Sequence, residues 1–124
     1  HMALGLDLTK RSIQDHLKEK SLPWAEAKAF TGSAVLGDWI EYNPKAVYSL
    51  EVNGNEVQKG SLAEMSWTPK QLIAKLANWA PISEGDILFT GTPSGVGPLS
   101  KNDELTASLF VEDKHILSHH AKCV

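Results

Sequence analysis

Apolar and polar positions alternate in short blocks along this chain, and no single long hydrophobic run dominates it. Ala3 to Leu8 is apolar except for Asp7 and predicts a buried strand. Thr9 then reads as an N-cap for a helix over Lys10 to Lys20, with Ile13 and Leu17 on one face at i, i+4. Pro23 breaks that helix and opens a short second turn running to Lys28. Thr31 to Asp38, with small residues and two glycines, predicts a loop or a sheet edge. Tyr48 to Val52 alternates, Asn53-Gly54 supplies a tight turn, and Asn55 to Lys59 returns, which predicts a hairpin. Thr68-Pro69 starts another helix reaching about Trp79, with Leu72, Ile73, Leu76 and Trp79 as a core-facing stripe. Ile87 to Phe89 predicts a buried strand feeding a Gly/Pro-rich loop. Glu104 to Val111 and His115 to Ser118 read as the last two strands, joined by a turn at Glu112-Asp113. The pattern as a whole predicts an α+β fold, mainly antiparallel, with two principal helices against a curved sheet.

Composition narrows the function classes. At 124 residues there is room for one modest core. An apolar fraction of 42% with 22% charged residues fits a globular chain rather than a disordered one. The net charge of −3 argues against a nucleic-acid partner, which calls for clustered Lys and Arg. No apolar run approaches the roughly twenty residues of a membrane helix. No signal-peptide pattern opens the sequence, and His1-Met2 reads as an expression-tag remnant ahead of a domain over residues 3–124. The single thiol, Cys123, makes no internal disulfide and fits a reducing compartment, the cytoplasm. His115 and His119 stand four apart, a spacing that suits zinc on a helix, but the local pattern is strand.

The candidate chemistry sits at four places. The loop after Phe89 carries Gly91, Gly95 and Gly97 among the hydroxyls of Thr90, Thr92 and Ser94. Exposed backbone N–H groups with hydroxyls make a seat for an anionic oxygen. The alternative is a plain turn, and no Lys-Ser or Lys-Thr follows to make a phosphate loop. Asp7 stands among leucines at the end of the first strand, where it needs a cation, hydrogen-bond donors or exposure. Arg11 and Gln14, three apart, share one side of the first helical turn, either as a carboxylate-binding pair or as a solvated face. Lys28 lies among Ala27, Ala29 and Phe30, and either snorkels to water or serves a site.

Three segments in order raise a family: Leu6 to Gln14, Leu22 to Phe30, and Gly85 to Pro98, with the Leu50 to Gly60 hairpin between the last two. Together they resemble the fumarylacetoacetate hydrolase family, in its acylpyruvase-like branch, over residues 3–118. The resemblance implies a β-rich, mainly antiparallel roll or sandwich, commonly dimeric, of which this chain would be the C-terminal half of the catalytic domain. It implies a divalent cation, Mg²⁺ or Mn²⁺, held by three carboxylates, of which Asp7 matches the third. It also places Arg11, Gln14 and Lys28 along the metal and substrate pocket, and Thr92 on the substrate's oxygens. The implied substrates are small 2-oxo acids or 1,3-dicarbonyls, with Lys28 facing a developing enolate.

The match also has departures. Ser12 stands where the family typically has Asp, and Ala34-Val35 where a proline is common. The family's two glutamate ligands and its acid–base His and Glu belong to upstream segments that these 124 residues do not include. Three readings follow. The first is a truncated member that is inactive alone. The second is an enzyme completed by another chain or a swapped copy. The third is a non-catalytic binding or structural module.

Overall fold

The computed structural model describes residues 1–124. Six strands form two antiparallel sheets. One sheet pairs β1 (Met2–Asp7) with β2 (Ala34–Ile40). The other has the order β4-β3-β5-β6, from β3 (Ala46–Val52), β4 (Asn55–Ser61), β5 (Glu104–Val111) and β6 (Lys114–Lys122). The helices are α1 (Arg11–Glu19), α2 (Ala25–Lys28) and α3 (Pro69–Leu76), with a single 3₁₀ turn at Leu62–Glu64. This is the α+β, mainly antiparallel architecture that the hydrophobic pattern predicts.

The period-two pattern of β5 decides where the core lies. Leu105, Ala107 and Leu109 alternate with polar neighbours and are buried. Register sets Ala107 opposite Leu50, and Leu109 opposite Tyr48 on one side and Leu117 on the other. Leu4 of β1 joins Ala46, Ala107 and Leu109 in the central cluster, so the two sheets meet there. The core is small, with nine of 124 residues buried, as expected where most strands have one wet face.

The hairpin forms where Asn53-Gly54 predicts it. Both residues have positive φ, 52° and 78°, which is the turn that matches strand twist. The Asn53 side chain donates to Asp103 and accepts from the Glu104 amide, tying the turn to the start of β5. The Ser100 amide and Asn53 together hold the Asp103 carboxyl below its ordinary pKa. The β5–β6 turn reaches a similar conformation without glycine, with Glu112 at φ 50° and Asp113 at φ 64°. Left-handed backbone is costly for residues with a Cβ. Asp113→Gly is therefore expected to stabilise the chain by about 0.5–1 kcal/mol, read as a higher midpoint in urea.

Of the two alternatives for Thr31 to Asp38, the sheet edge is what forms, as residues 34–40 pair with β1. There Gly37 makes room for the His119 ring on β6. Three other expectations change. Thr9 does not cap α1; the helix starts at Arg11 with no side-chain cap, and the Thr9 hydroxyl is engaged elsewhere. Ile87 to Phe89 is not a strand, and Ile87 and Leu88 are exposed. Finally, α3 is capped by Thr68 as predicted but ends at Leu76 and buries no residue. Of its apolar stripe, Leu72 and Leu76 are half-buried, while Ile73 and Trp79 are exposed.

Candidate functional site

The site is built at the C-terminal end of β1. Pairing with β2 brings Asp7 opposite Ala34, and the Leu8 amide continues the ladder to Ser33. The Lys10 amide then donates to the Ala27 carbonyl, which fastens the segment after β1 to α2. That contact sets Lys28, at the end of α2, over the strand end. Its ammonium donates to Asp7 Oδ1 at 2.5 Å and to Thr9 Oγ1 at 2.8 Å, with the Leu8 carbonyl at 3.4 Å. The charged head of Lys28 therefore lies on Asp7. The pair remains open to water, with side chains 33% and 53% exposed. One turn away, Arg11 donates to Gln14 Oε1 at 2.6 Å, and Gln14 is buried. Asp7, Thr9 and Lys28 thus form one cluster, and Arg11 and Gln14 form a second pair at the start of α1.

Thr92 sits elsewhere. Its hydroxyl accepts from Gln58 Nε2 at 2.9 Å, and the same amide group reaches the Pro93 carbonyl at 3.0 Å. Gln58, on β4, is what seats the Gly/Pro loop. The sequence showed it only as one polar residue of the returning strand. A register irregularity sits between Leu50 and Glu51, where Gln58 and Glu56 are the successive partners and Val57 is passed over. Gly95 lies against the Val57 carbonyl at φ 98°, where a Cβ would collide with that oxygen. Gly95→Ala is therefore expected to lift the loop and free Thr92, at a cost of about 2 kcal/mol. The Gln58 side-chain amide resonances should then collapse to solvent-like positions.

Thr92 lines a cavity of about 300 Å³ with Tyr48, Gly60, Glu64, Trp67 and Thr90. Burial, and then the nearby Glu64, raise the Tyr48 phenol above its usual pKa, so it stays protonated at neutral pH. Asp7 and Lys28 do not line this cavity. The link between the two regions is Phe89, whose ring packs on Gly5 of β1, 2.9 Å from where a Cβ would stand.

The donors at Asp7 are too few for a divalent cation. Hard cations take six or more oxygens, usually including one or two carboxylates. Asp7 is one carboxylate, and one of its oxygens accepts from Lys28. No group of three His, Cys, Asp or Glu side chains converges anywhere in the chain. The residues present do not by themselves make a Mg²⁺ or Mn²⁺ site. No helix is long and apolar enough to cross a membrane.

A family profile described as fumarylacetoacetate (FAA) hydrolase C-terminal matches residues 2–122. The human mitochondrial oxaloacetate tautomerase FAHD1 is 40% identical over 112 residues, 86% of this chain and 51% of that protein. The crystal structure of an Oleispira antarctica protein described as a fumarylacetoacetate isomerase/hydrolase superposes with TM-score 0.92 at 40% identity, covering 98% of this chain and 58% of that one. A fumarylpyruvate hydrolase from Pseudomonas aeruginosa, solved with Mn²⁺ and pyruvate, gives TM-score 0.81 at 30% identity, covering 86% of this chain and 48% of that one. The chain spans about half the length of the curated relatives it matches. By sequence over nearly its whole length and by fold, the chain belongs to the fumarylacetoacetate hydrolase family.

Proposed function

We propose that this chain carries the enolate-stabilising half of a site for small 2-oxo acids, and that the 124 residues alone do not turn substrate over. The observation that carries this reading is the Lys28 ammonium, fixed by Asp7 and Thr9 yet open to solvent, with Arg11 and Gln14 paired in the first turn of the helix that follows Thr9. A 2-oxo acid presents a carboxylate and a keto oxygen on adjacent carbons. Arg11 suits the carboxylate, because a guanidinium offers paired donors. Lys28 suits the keto oxygen. Tautomerisation moves a proton from carbon to that oxygen, and cleavage of a 1,3-dicarbonyl leaves an enolate. In both, negative charge grows on one oxygen, and a pre-placed cation stabilises the transition state more than the ground state. Relatives named for oxaloacetate tautomerisation and fumarylpyruvate hydrolysis support this substrate class.

Asp7 keeps Lys28 in place and is the chain's one candidate donor to a metal. Further donors for Mg²⁺ or Mn²⁺ would come from outside these residues. Thr92, in the cavity that Asp7 and Lys28 do not line, is assigned a hydroxyl toward the substrate's oxygens. The lone Cys123 suits a reducing compartment such as the cytoplasm.

The test is a spectrophotometric assay of oxaloacetate enol–keto conversion, and of acylpyruvate cleavage, with added Mg²⁺ or Mn²⁺. The expected result for the isolated chain is a rate at background. Turnover by the isolated chain that disappears in Asp7→Ala would contradict the claim of inactivity. A completed assembly that turns over equally well with and without Lys28 and Arg11 would contradict the site.

A further inference from the structure

Asn53-Gly54 is a reactive dipeptide as well as a turn. Glycine has no Cβ to shield its backbone nitrogen, which can attack the side-chain carbonyl carbon of a preceding asparagine. The new C–N bond closes a succinimide ring, and the side-chain nitrogen leaves as ammonia. Water then opens the ring at either carbonyl, leaving an aspartate or an isoaspartate at position 53. One water is consumed and one ammonia released, with no oxidant or cofactor. No other asparagine is so placed. Asn43 precedes Pro44, which has no N–H to attack with, and Asn55, Asn78 and Asn102 precede Glu56, Trp79 and Asp103, whose side chains crowd the nitrogen.

The nucleophile is free. Gly54 is exposed, has open space where a Cβ would stand, and its amide bonds to no other backbone group. The electrophile is tied down. Asn53 Nδ2 donates to Asp103 Oδ1 at 2.8 Å, and Asn53 Oδ1 accepts from the Glu104 amide at 2.9 Å. Both ends of the side-chain amide are therefore pinned to the start of β5, fifty positions on. The side chain cannot turn onto the Gly54 nitrogen without losing both bonds. The backbone adds a third tie, from the Asn53 amide to the Glu104 carbonyl at 2.8 Å. Asp103 is held in turn by the Ser100 amide, which donates to Oδ2 at 2.7 Å. The Ser100 and Asn53 bonds keep its carboxyl ionised, so it has no proton to give a departing nitrogen.

We infer that Asn53 is a deamidation site that the fold keeps closed, with Asp103 as its guard, so that the reaction waits for the hairpin tip to lift from β5. The step is also one-way. A carboxylate at position 53 has no N–H for Asp103, and two carboxylates at hydrogen-bond distance repel. None of this depends on the reading of the Lys28 site.

The full 124-residue chain is incubated in mildly alkaline buffer. The tryptic peptide holding position 53 is followed by mass spectrometry, with fragment spectra separating it from Asn55 and isoaspartate detected alongside. The folded chain should deamidate at Asn53 at least about tenfold more slowly than the same chain unfolded in guanidinium. Asp103→Ser keeps an acceptor for the Ser100 amide and removes the one Asn53 uses. It and Asp103→Ala should each speed the folded-state reaction about tenfold, a factor within reach of one hydrogen bond to a charged group. The amide spectrum of β3–β6 confirms that each variant is folded, and the Ser variant carries the test if the Ala variant is not. Asn53→Asp should lower the urea midpoint, and adding Asp103→Asn, which turns the hydrogen bond round, should restore it. A folded chain that reacts at the unfolded rate, or an unfolded chain that leaves Asn53 intact, would overturn the site. Folded Asp103 variants that react at the parent rate would overturn the guard. A double variant no more stable than Asn53→Asp would overturn the one-way step.

Discussion

In an assembly competent for turnover, Lys28→Met is expected to lower kcat by about 10²–10³-fold while KM stays within about threefold. Methionine keeps most of the stem and removes the ammonium. The loss falls on kcat because the charge that Lys28 meets develops only as the enolate forms. The variant should still fold. The Lys28–Asp7 pair is a third to a half exposed, and water screens such pairs to at most about 1 kcal/mol. Steady-state kinetics on oxaloacetate, with a urea titration of the same sample, separates the two effects. An unchanged kcat would remove Lys28 from the chemistry.

Leu109→Ala carries the largest expected cost to stability, about 3 kcal/mol. Leu109 is 4% exposed on β5, between Tyr48 and Leu117, and it belongs to the four-residue cluster where the two sheets meet. A chain with so few buried residues has little margin, since whole domains hold only about 5–15 kcal/mol. The urea midpoint should fall far enough that the variant is partly unfolded in buffer. Ile116→Ala is the control. Ile116 is exposed on β6, and its loss should move the midpoint by less than about 0.5 kcal/mol.

The sequence disclosed what is decided locally. Asn53-Gly54 dictates its turn because both positions need positive φ, and the strands beside it follow. Thr68-Pro69 dictates the start of α3 through a side-chain cap. What went astray was decided by partners distant along the chain. Thr9 has the chemistry of a cap, but Lys28, nineteen positions on, engages its hydroxyl. Thr31 to Asp38 was open between loop and sheet edge because Gly32 and Gly37 weaken strand propensity, and the ladder from β1 decides for the edge over Ala34–Ile40. Ile87 to Phe89 and the α3 stripe show the opposite case. Their apolar pattern reports a demand for burial and does not say what supplies it; Phe89 meets Gly5 of β1, whereas Ile73, Trp79, Ile87 and Leu88 stay exposed.

The candidate site was legible to a similar degree. Asp7, Arg11, Gln14 and Lys28 were singled out as odd charges or polar pairs, and the fold joins them two by two, Lys28 to Asp7 and Arg11 to Gln14. Thr92 was singled out too, but it lies across a separate cavity with Gln58 as its partner. Gln58 gave no signal, because an amide on a returning strand looks the same whether it faces water or seats a loop.

The most direct test is a pyruvate titration of the ¹⁵N-labelled chain followed by amide chemical shifts, which detects even millimolar binding. The account predicts shifts concentrated at Asp7 to Gln14 and at Ala27-Lys28, all removed by Lys28→Met. Shifts confined to the Tyr48–Glu64 cavity, or none at the end of β1, would contradict it.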